Sequence, residues 1–388
     1  MSDNFLPYGR QSIADDDIEA VVDVLKSDWL TTGPAVSDFE TAFRSATAAP
    51  HALACSNGTT ALHLALAGLG IGEGDVCIVP AITFLATANA ALFCGAEVVF
   101  CDVDADTGLM TQAHLEEALG RAGDRAAAVL PVHLAGQAVD MAAISSIARA
   151  AQLRVVEDAC HALGTVHAGQ PVGACHHSDA ATFSFHPVKT IAAGEGGMVT
   201  TRDAVLAERI ARLRSHGMER SPEHLERGGD EPWWYEMQSL GWNYRLTDIQ
   251  AALARSQLKR LDQFKRARQA LAQRYDEALA ELAPHILPIQ RTPDTNACLH
   301  LYPVRIDFEA VGVTRAELMN ALRQRGIGTQ VHYIPLYKQP FYRQRYGQTA
   351  LDGAERYYAR TLSLPLYAGL DAEAPDRVVN ALSEVLGL

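Results

Sequence analysis

Long apolar runs are missing from this sequence: no stretch approaches the roughly 20 residues needed to cross a bilayer, which excludes an integral membrane protein. The opening segment MSDNFLPYGRQSI lacks the basic segment and apolar run of a signal peptide. There is also no basic excess, because 33 Lys and Arg against 46 Asp and Glu give a net charge of −13. This charge disfavours nucleic acid and anionic membranes as partners. We therefore expect a cytoplasmic protein.

Paired cysteine motifs are also missing. The seven cysteines are scattered, odd in number and form no C-x-x-C pair, which favours free thiols in a reducing compartment. The segment Cys175-His176-His177 could be read as a metal-binding fragment, but no second group of ligands follows it. We interpret it as a polar loop and expect no metal site.

What the sequence does contain is an alternation of helical and strand-like stretches between residues 15 and 215, typical of an α/β fold with a helix-covered sheet. Asp15 is the predicted N-cap of the first helix, and later helices are predicted at 83–94, 111–122 and 140–151. Short apolar runs predict strands buried on both faces: Val76–Val79, Val98–Phe100, Ala128–Leu130 and Val155–Val156.

The second part of the chain has a different pattern. After a Gly-, Pro- and charge-rich stretch at 217–232, Thr247 opens a long helical pattern with Gln250 as its capping partner. Beyond it, strand-like segments at 301–306 and 328–332 flank a helix capped by Thr314 with Glu317, which predicts a smaller α+β domain over 285–388. We expect a large domain with an N-terminal arm (1–250), then a bridging helix and small C-terminal domain (251–388).

The first candidate site segment is Ser56-Asn57-Gly58-Thr59-Thr60, directly before the helical run ALHLAL. Free backbone N–H groups and the helix dipole favour an anion at such a helix start. The segment is therefore a candidate phosphate site. An ordinary helix cap explains the same residues equally well.

A second candidate follows the strand-like run at Val155-Val156, where two carboxylates, Glu157 and Asp158, come together. The carboxyl end of a strand in an open α/β sheet faces the ligand crevice. Because successive strand side chains point to opposite faces, only one of the two acids can point into it. An acid placed there could keep a pyridine nitrogen protonated.

The third segment is SFHPVK, ending at Lys189 and followed by GEGG. Its Ser, Pro and Gly residues predict tight loop backbone around the lysine. Lysine is the side chain that forms Schiff bases, and loss of solvation makes its amine nucleophilic. A phosphate site, a strand-end acid and this lysine in sequence order together indicate a pyridoxal phosphate (PLP) enzyme.

These segments closely resemble the DegT/DnrJ/EryC1/StrS family of PLP-dependent nucleotide-sugar aminotransferases. The similarity runs nearly end to end through SNGTTALHLAL, EDACHALG, SFHPVKTIAAGEGGMVTT, GWNYRLTDIQAALARSQL and QVHYIP. It implies the PLP fold type I, with a large mixed-sheet α/β/α domain and a smaller α+β domain. It also implies PLP as cofactor, with pyridoxamine phosphate (PMP) as its aminated form.

The resemblance further implies roles for individual residues. Lys189 would attach the cofactor, Asp158 would pair with its ring nitrogen, and His161 would lie near its phenolic oxygen. Gly58, Thr59 and Ser184 would bind the phosphate and Phe84 would lie against the ring. Asn243 would reach the phosphate from the other subunit of a homodimer with shared active sites. His332 and Tyr8 would bind the sugar.

The expected substrates are L-glutamate and a nucleotide sugar. FLPYGRQSI, SDWLTTGP and PVHLAGQAVDM are most similar to the enzymes of pseudaminic acid synthesis, which implies a UDP-linked 2-acetamido-2,6-dideoxy-4-hexulose of the β-L-arabino type. GDP-4-keto-6-deoxymannose, a 3-keto sugar and a non-catalytic regulatory role are the alternatives. Related dehydratases replace the lysine with histidine, so Lys189 argues against that activity. Tyr337 stands where related sequences often have a second histidine, a departure that bears on sugar recognition.

Overall fold

The computed structural model describes residues 5–227 and 231–388. Residues 1–4 of the predicted N-terminal arm and 228–230 of the stretch 217–232 lie outside this range. Among these residues the largest sheet consists of the strands β1 His51–Cys55, β2 Val76–Pro80, β3 Glu97–Cys101, β4 Ala126–Val129, β5 Arg154–Asp158, β6 Ala180–Ser184 and β7 Gly197–Thr201. Their order in the sheet is β1-β7-β6-β5-β4-β2-β3, and of these seven only β7 runs antiparallel to the rest.

Helices pack against this sheet and the C-terminal elements. In β2 all five residues are buried, as expected where helices cover both faces of a sheet. The predicted α/β fold is thereby confirmed. The helices are Asp15–Lys26, Pro34–Thr47, Gly58–Gly68, Leu85–Phe93, Gln112–Ala122, Met141–Ala150, Ala204–Leu213, Asp248–Leu258, Leu261–Leu279, Arg315–Gln324, Pro340–Tyr346, Asp352–Arg360 and Ala374–Leu386.

A second apolar core lies in the C-terminal part of the chain. It is built around a three-stranded antiparallel sheet of β8 Ile286–Pro288, β9 Tyr302–Ile306 and β10 Thr361–Leu364. The N-terminal arm also lies here, since Leu6 pairs with Ile327. This agrees with a smaller α+β unit, while the boundary near residue 250 stays a prediction.

The predicted long helix after Thr247 is wrong in one respect. Thr247 and Gln250 form the expected capping box, but the helix ends at Leu258 and a second one starts at Leu261. Arg260 leaves the helical conformation between them, and its guanidinium forms an ion pair with the fully buried Asp17. The helical periodicity continues across this break, so sequence pattern alone does not reveal it.

Two further local predictions are corrected. Asp15 is the first helical residue and Ala14 the N-cap, because the Asp17 carboxylate accepts a hydrogen bond from the Ala14 N–H at 3.0 Å. The strand predicted at 328–332 is reduced to one isolated bridge between Gln330 and Ser363.

The helices of the described part are all too short or too polar to cross a membrane. Within Cys175-His176-His177 the cysteine is buried and its thiol donates to the Gly173 carbonyl oxygen at 3.3 Å. Both histidines are exposed, so the three side chains do not converge.

Asp102 should contribute strongly to stability because it joins the two halves of the chain. Its buried carboxylate accepts hydrogen bonds from Gly353 N–H (2.9 Å) and Ala354 N–H (2.7 Å) at the start of helix Asp352–Arg360. Asp102→Ala leaves these donors buried and unpaired, which should lower the free energy of unfolding by about 2 kcal/mol in urea denaturation. Replacement of the exposed Asp352 by Ala is the control, and an equal loss in both variants would contradict this role.

Candidate active site

A cavity of about 800 Å³ lies where the large sheet meets the C-terminal elements. The parallel strands β1, β5 and β6 end at the same edge of the sheet, so the segments that follow them converge there. Nine of the ten predicted site residues line this cavity, namely Tyr8, Gly58, Thr59, Phe84, Asp158, His161, Ser184, Lys189 and His332. The tenth, Asn243, is exposed and does not belong to the lining.

One wall of the cavity is the start of helix Gly58–Gly68. Its N-cap, Asn57, uses its side chain to accept from Thr60 N–H at 2.9 Å. In the described chain the N–H groups of Gly58 and Thr59 have no acceptor. A Cβ at Gly58 would lie 2.7 Å from the Ser184 Cβ, so only glycine allows the helix start to approach this serine. The resulting arrangement of N–H and hydroxyl donors suits a phosphate.

The two carboxylates of β5, Asp158 and Glu157, point to opposite faces of the sheet. Asp158 lines it, and its Oδ2 accepts a hydrogen bond from the Thr87 hydroxyl at 2.8 Å. Glu157 points to the other face, where it contacts His133 Nε2 at 2.8 Å and the Ser178 hydroxyl. Asp158 is therefore the acid available to a ligand in the cavity.

Lys189 is held in a tight turn after β6. Its N–H donates to the His186 carbonyl oxygen at 2.8 Å, and its half-buried side chain lines the cavity. Burial lowers the pKa of Lys189, against the opposing effects of Cys160 and Asp158. A lowered pKa raises the fraction of neutral amine, which is the nucleophilic and basic form.

Three buried histidines surround this lysine: His161, His300 and His332. Burial, with the nearby Lys189, lowers the pKa of His332 to about 3 and places those of His161 and His300 well below the usual value. All three are therefore neutral near pH 7. None of these three rings therefore places an imidazolium cation beside the amine of Lys189.

Three further residues line or approach the cavity and were not predicted from the sequence: His300, Thr87 and Tyr333. His300 lies just before β9, its ring 4.4 Å from that of His161. All three residues come from elements distant in sequence from Lys189. No local motif marks His300 or Thr87, whereas Tyr333 lies in the motif QVHYIP.

Tyr337, which stands where the family often has a histidine, lies outside the cavity. Its side chain is buried outside the cavity and its hydroxyl donates to Glu355 Oε1 at 2.9 Å. Gln339 and Leu336 line the cavity instead. Tyr337 is therefore not part of the cavity lining in the described chain.

Phe84 and Tyr8 lie at the opening of the cavity. Phe84 is 55% exposed, and its ring centroid lies 6.1 Å from that of Tyr333. The ring centroid of Tyr8 lies 5.6 Å from that of His332. The Tyr8 backbone is held by a hydrogen bond from the Leu366 N–H to the Tyr8 carbonyl oxygen at 3.1 Å. Their contacts to ring and sugar stay predictions.

Comparison with known proteins supports an aminotransferase. The DegT/DnrJ/EryC1/StrS aminotransferase family matches residues 11–383. The spore coat polysaccharide biosynthesis protein SpsC of Bacillus subtilis is 39% identical over 386 residues, covering 99% of this chain and 97% of SpsC. Helicobacter pylori PseC, an aminotransferase of pseudoaminic acid biosynthesis, has a TM-score of 0.91 and 30% identity over 99% of each chain. Streptococcus pneumoniae Spr1654, solved in PLP and PMP forms, has a TM-score of 0.89 and 28% identity. Its PLP-form match covers 99% of each chain.

Separate substitution of the two β5 acids should show which of them contributes to kcat. Asp158→Asn removes the negative charge that faces the cavity, so we expect kcat to fall on the order of a hundredfold, equivalent to about 2.7 kcal/mol on the barrier. Glu157→Gln changes a carboxylate that faces away and should keep kcat within about threefold. Steady-state kinetics of both variants test this. A larger kcat loss in Glu157→Gln would reverse the assignment.

Proposed function

Because the chain belongs to the DegT/DnrJ/EryC1/StrS aminotransferase family, we propose that it transfers the amino group of L-glutamate to C4 of a nucleotide-linked 4-keto-6-deoxy sugar. The proposed sugar is UDP-2-acetamido-2,6-dideoxy-β-L-arabino-hex-4-ulose, in pseudaminic acid biosynthesis. The match to PseC over 99% of both chains carries this choice. The enzyme is a PLP-dependent sugar aminotransferase; the exact sugar and its pathway are the proposal.

The residues of the cavity fit PLP. The phosphate would be held by the unpaired N–H groups of Gly58 and Thr59 with the Ser184 hydroxyl. The ring nitrogen would face Asp158, whose orientation is fixed by Thr87. When bound, PLP supplies an electron sink for the transfer of the amino group.

Lys189 is the proposed attachment point and proton carrier. It is the only lysine among the described residues that line the cavity, and its lowered pKa supplies a neutral amine. Once released, Nζ would accept the proton from the α-carbon of glutamate and give it up to the cofactor in the same half of the reaction. In the second half the transfer would run the other way and deliver a proton to C4 of the sugar. The three buried histidines around it are neutral and therefore add no positive charge next to Nζ.

We further propose a homodimer with shared active sites. Large apolar side chains are exposed on the single chain, among them Trp29, Leu30, Phe93, Trp233 and Leu240. In the part of the chain that the structure describes, no arginine lines the cavity, although the substrates carry several negative charges. The exposed Asn243 is available to a second copy.

The proposed location is the cytoplasm. All seven cysteines are free thiols and five of them are buried, which suits a reducing compartment.

Kinetics with a panel of nucleotide sugars tests the proposed substrate. With glutamate as donor, kcat/KM for the UDP-linked L-arabino 4-ketone should exceed that for GDP-4-keto-6-deoxymannose and for a 3-keto sugar by at least about tenfold. The free sugar should react far more slowly, because the nucleotide supplies binding energy that orients the keto carbon. A preference for the GDP-linked or 3-keto sugar would overturn the substrate while leaving the aminotransferase activity intact.

Complementation between inactive subunits tests the shared site. Lys189→Ala removes the attachment point, and Asn243→Asp places a negative charge against the partner's phosphate. After equal, random subunit exchange, mixed dimers should have one intact site, giving about a quarter of wild-type activity.

The control mixes Lys189→Ala with Asp158→Asn. Both residues line the cavity of the same chain, so this mixture should gain nothing above the residual activity of Asp158→Asn. No recovery in the first mixture, with exchange demonstrated by mass spectrometry, would refute a role for Asn243 in trans.

A further inference from the structure

Both ring nitrogens of His161 are occupied by other groups of the protein. Nδ1 lies 3.3 Å from the Ala135 amide nitrogen, and Nε2 lies 3.1 Å from the Tyr333 hydroxyl oxygen. A backbone N–H can only donate, so Nδ1 must be the unprotonated acceptor. In the neutral ring the hydrogen is then on Nε2, and His161 donates it to Tyr333.

The Ala135 peptide that sets this tautomer is itself fixed. Ala135 has a φ of 61°, a left-handed conformation that is uncommon for alanine. Its carbonyl oxygen accepts from His300 N–H at 2.9 Å, while its own N–H faces His161. The backbone of Ala135 is thus bonded on both sides to histidines of the cavity, with its N–H directed at Nδ1 of His161.

The hydroxyl of Tyr333 consequently accepts one hydrogen bond and has its own hydrogen left to donate. Within the described ranges this hydrogen has no protein acceptor. The ring is fixed by neighbouring aromatic groups, with centroids 4.8 Å from His332 and 6.1 Å from both His161 and Phe84. Tyr333 lines the cavity together with Lys189 and Asp158.

The hydroxyl also keeps its hydrogen over the working pH range. Burial raises the pKa of Tyr333 well above its ordinary value. The other ionisable groups near it, Asp158, Tyr8, Cys160 and Tyr357, act in the same direction. A protonated hydroxyl on a fixed ring is therefore a directed hydrogen-bond donor to an oxygen in the cavity.

We propose that Tyr333, oriented by His161, donates a hydrogen bond to the phenolic oxygen of bound PLP. His161 is then a positioning residue that acts through Tyr333, whereas the family resemblance implied only that it lies near this oxygen. The proposal rests on the use of PLP by this chain. The keto oxygen of the sugar is the other oxygen such a donor could reach, and the experiment separates the two.

The test is a pH titration of the visible absorption of the PLP-bound enzyme, with no sugar present. A donor to the phenolic oxygen stabilises its deprotonated form, so removing the donor should raise the pKa of the bound cofactor. For Tyr333→Phe we expect a rise of about one to two pH units. Tyr337→Phe is the matched control: its hydroxyl is bonded to Glu355 outside the cavity, and its titration should equal that of the wild type.

Substitutions of His161 test the positioning role and remain informative if Tyr333→Phe does not fold. His161→Leu frees the hydroxyl to rotate and should shift the titration in the same direction by a smaller amount. His161→Gln keeps an N–H donor and should restore most of the wild-type value. Equal shifts in these two variants would overturn the positioning role.

An unchanged titration in folded, PLP-bound Tyr333→Phe would overturn the proposal. If that variant also loses rate only when the PMP form reacts with the keto sugar, the hydroxyl serves the sugar oxygen. A wild-type enzyme that binds no PLP would instead contradict the cofactor assignment, independently of Tyr333.

Discussion

The alternation of side chains along β5 is the constraint on which the site depends. It sends Glu157 to a buried cluster with His133 and Ser178, and leaves Asp158 facing the cavity. Thr87 and the Cys160 N–H then fix the Asp158 carboxylate at 2.8 Å and 3.2 Å. A register shift of one residue would exchange the two acids, so the register of β5 in the sheet determines which carboxylate faces the cavity.

The buried basic side chains around this carboxylate carry little positive charge. Burial keeps the three histidines neutral and lowers the pKa of Lys189. Most hydrogen-bond donors available to an anion in the cavity are therefore neutral groups, namely the backbone amides at a helix start and a serine hydroxyl. Fixed neutral donors in a partly desolvated cavity can bind a phosphate without placing a cation beside the reacting amine.

The sequence predicted the parts of the site that are local. The helix start at Gly58, the strand-end Asp158 and the loop lysine each lie in a contiguous segment, and parallel strands bring such segments to one edge. His300 and Thr87 were missed because tertiary packing alone brings them to the cavity. Tyr337 shows the converse, since its motif position suggested the sugar site while its hydroxyl is bonded to Glu355.

The most direct measurement concerns Lys189 itself. Borohydride reduction of the PLP-bound enzyme fixes the cofactor to the amine that holds it, and peptide mass mapping then identifies the modified residue. We predict a pyridoxyl group on the peptide containing Lys189 and none in Lys189→Ala. A pyridoxyl group on a different lysine of the wild-type enzyme would contradict the assignment of Lys189 as the attachment point.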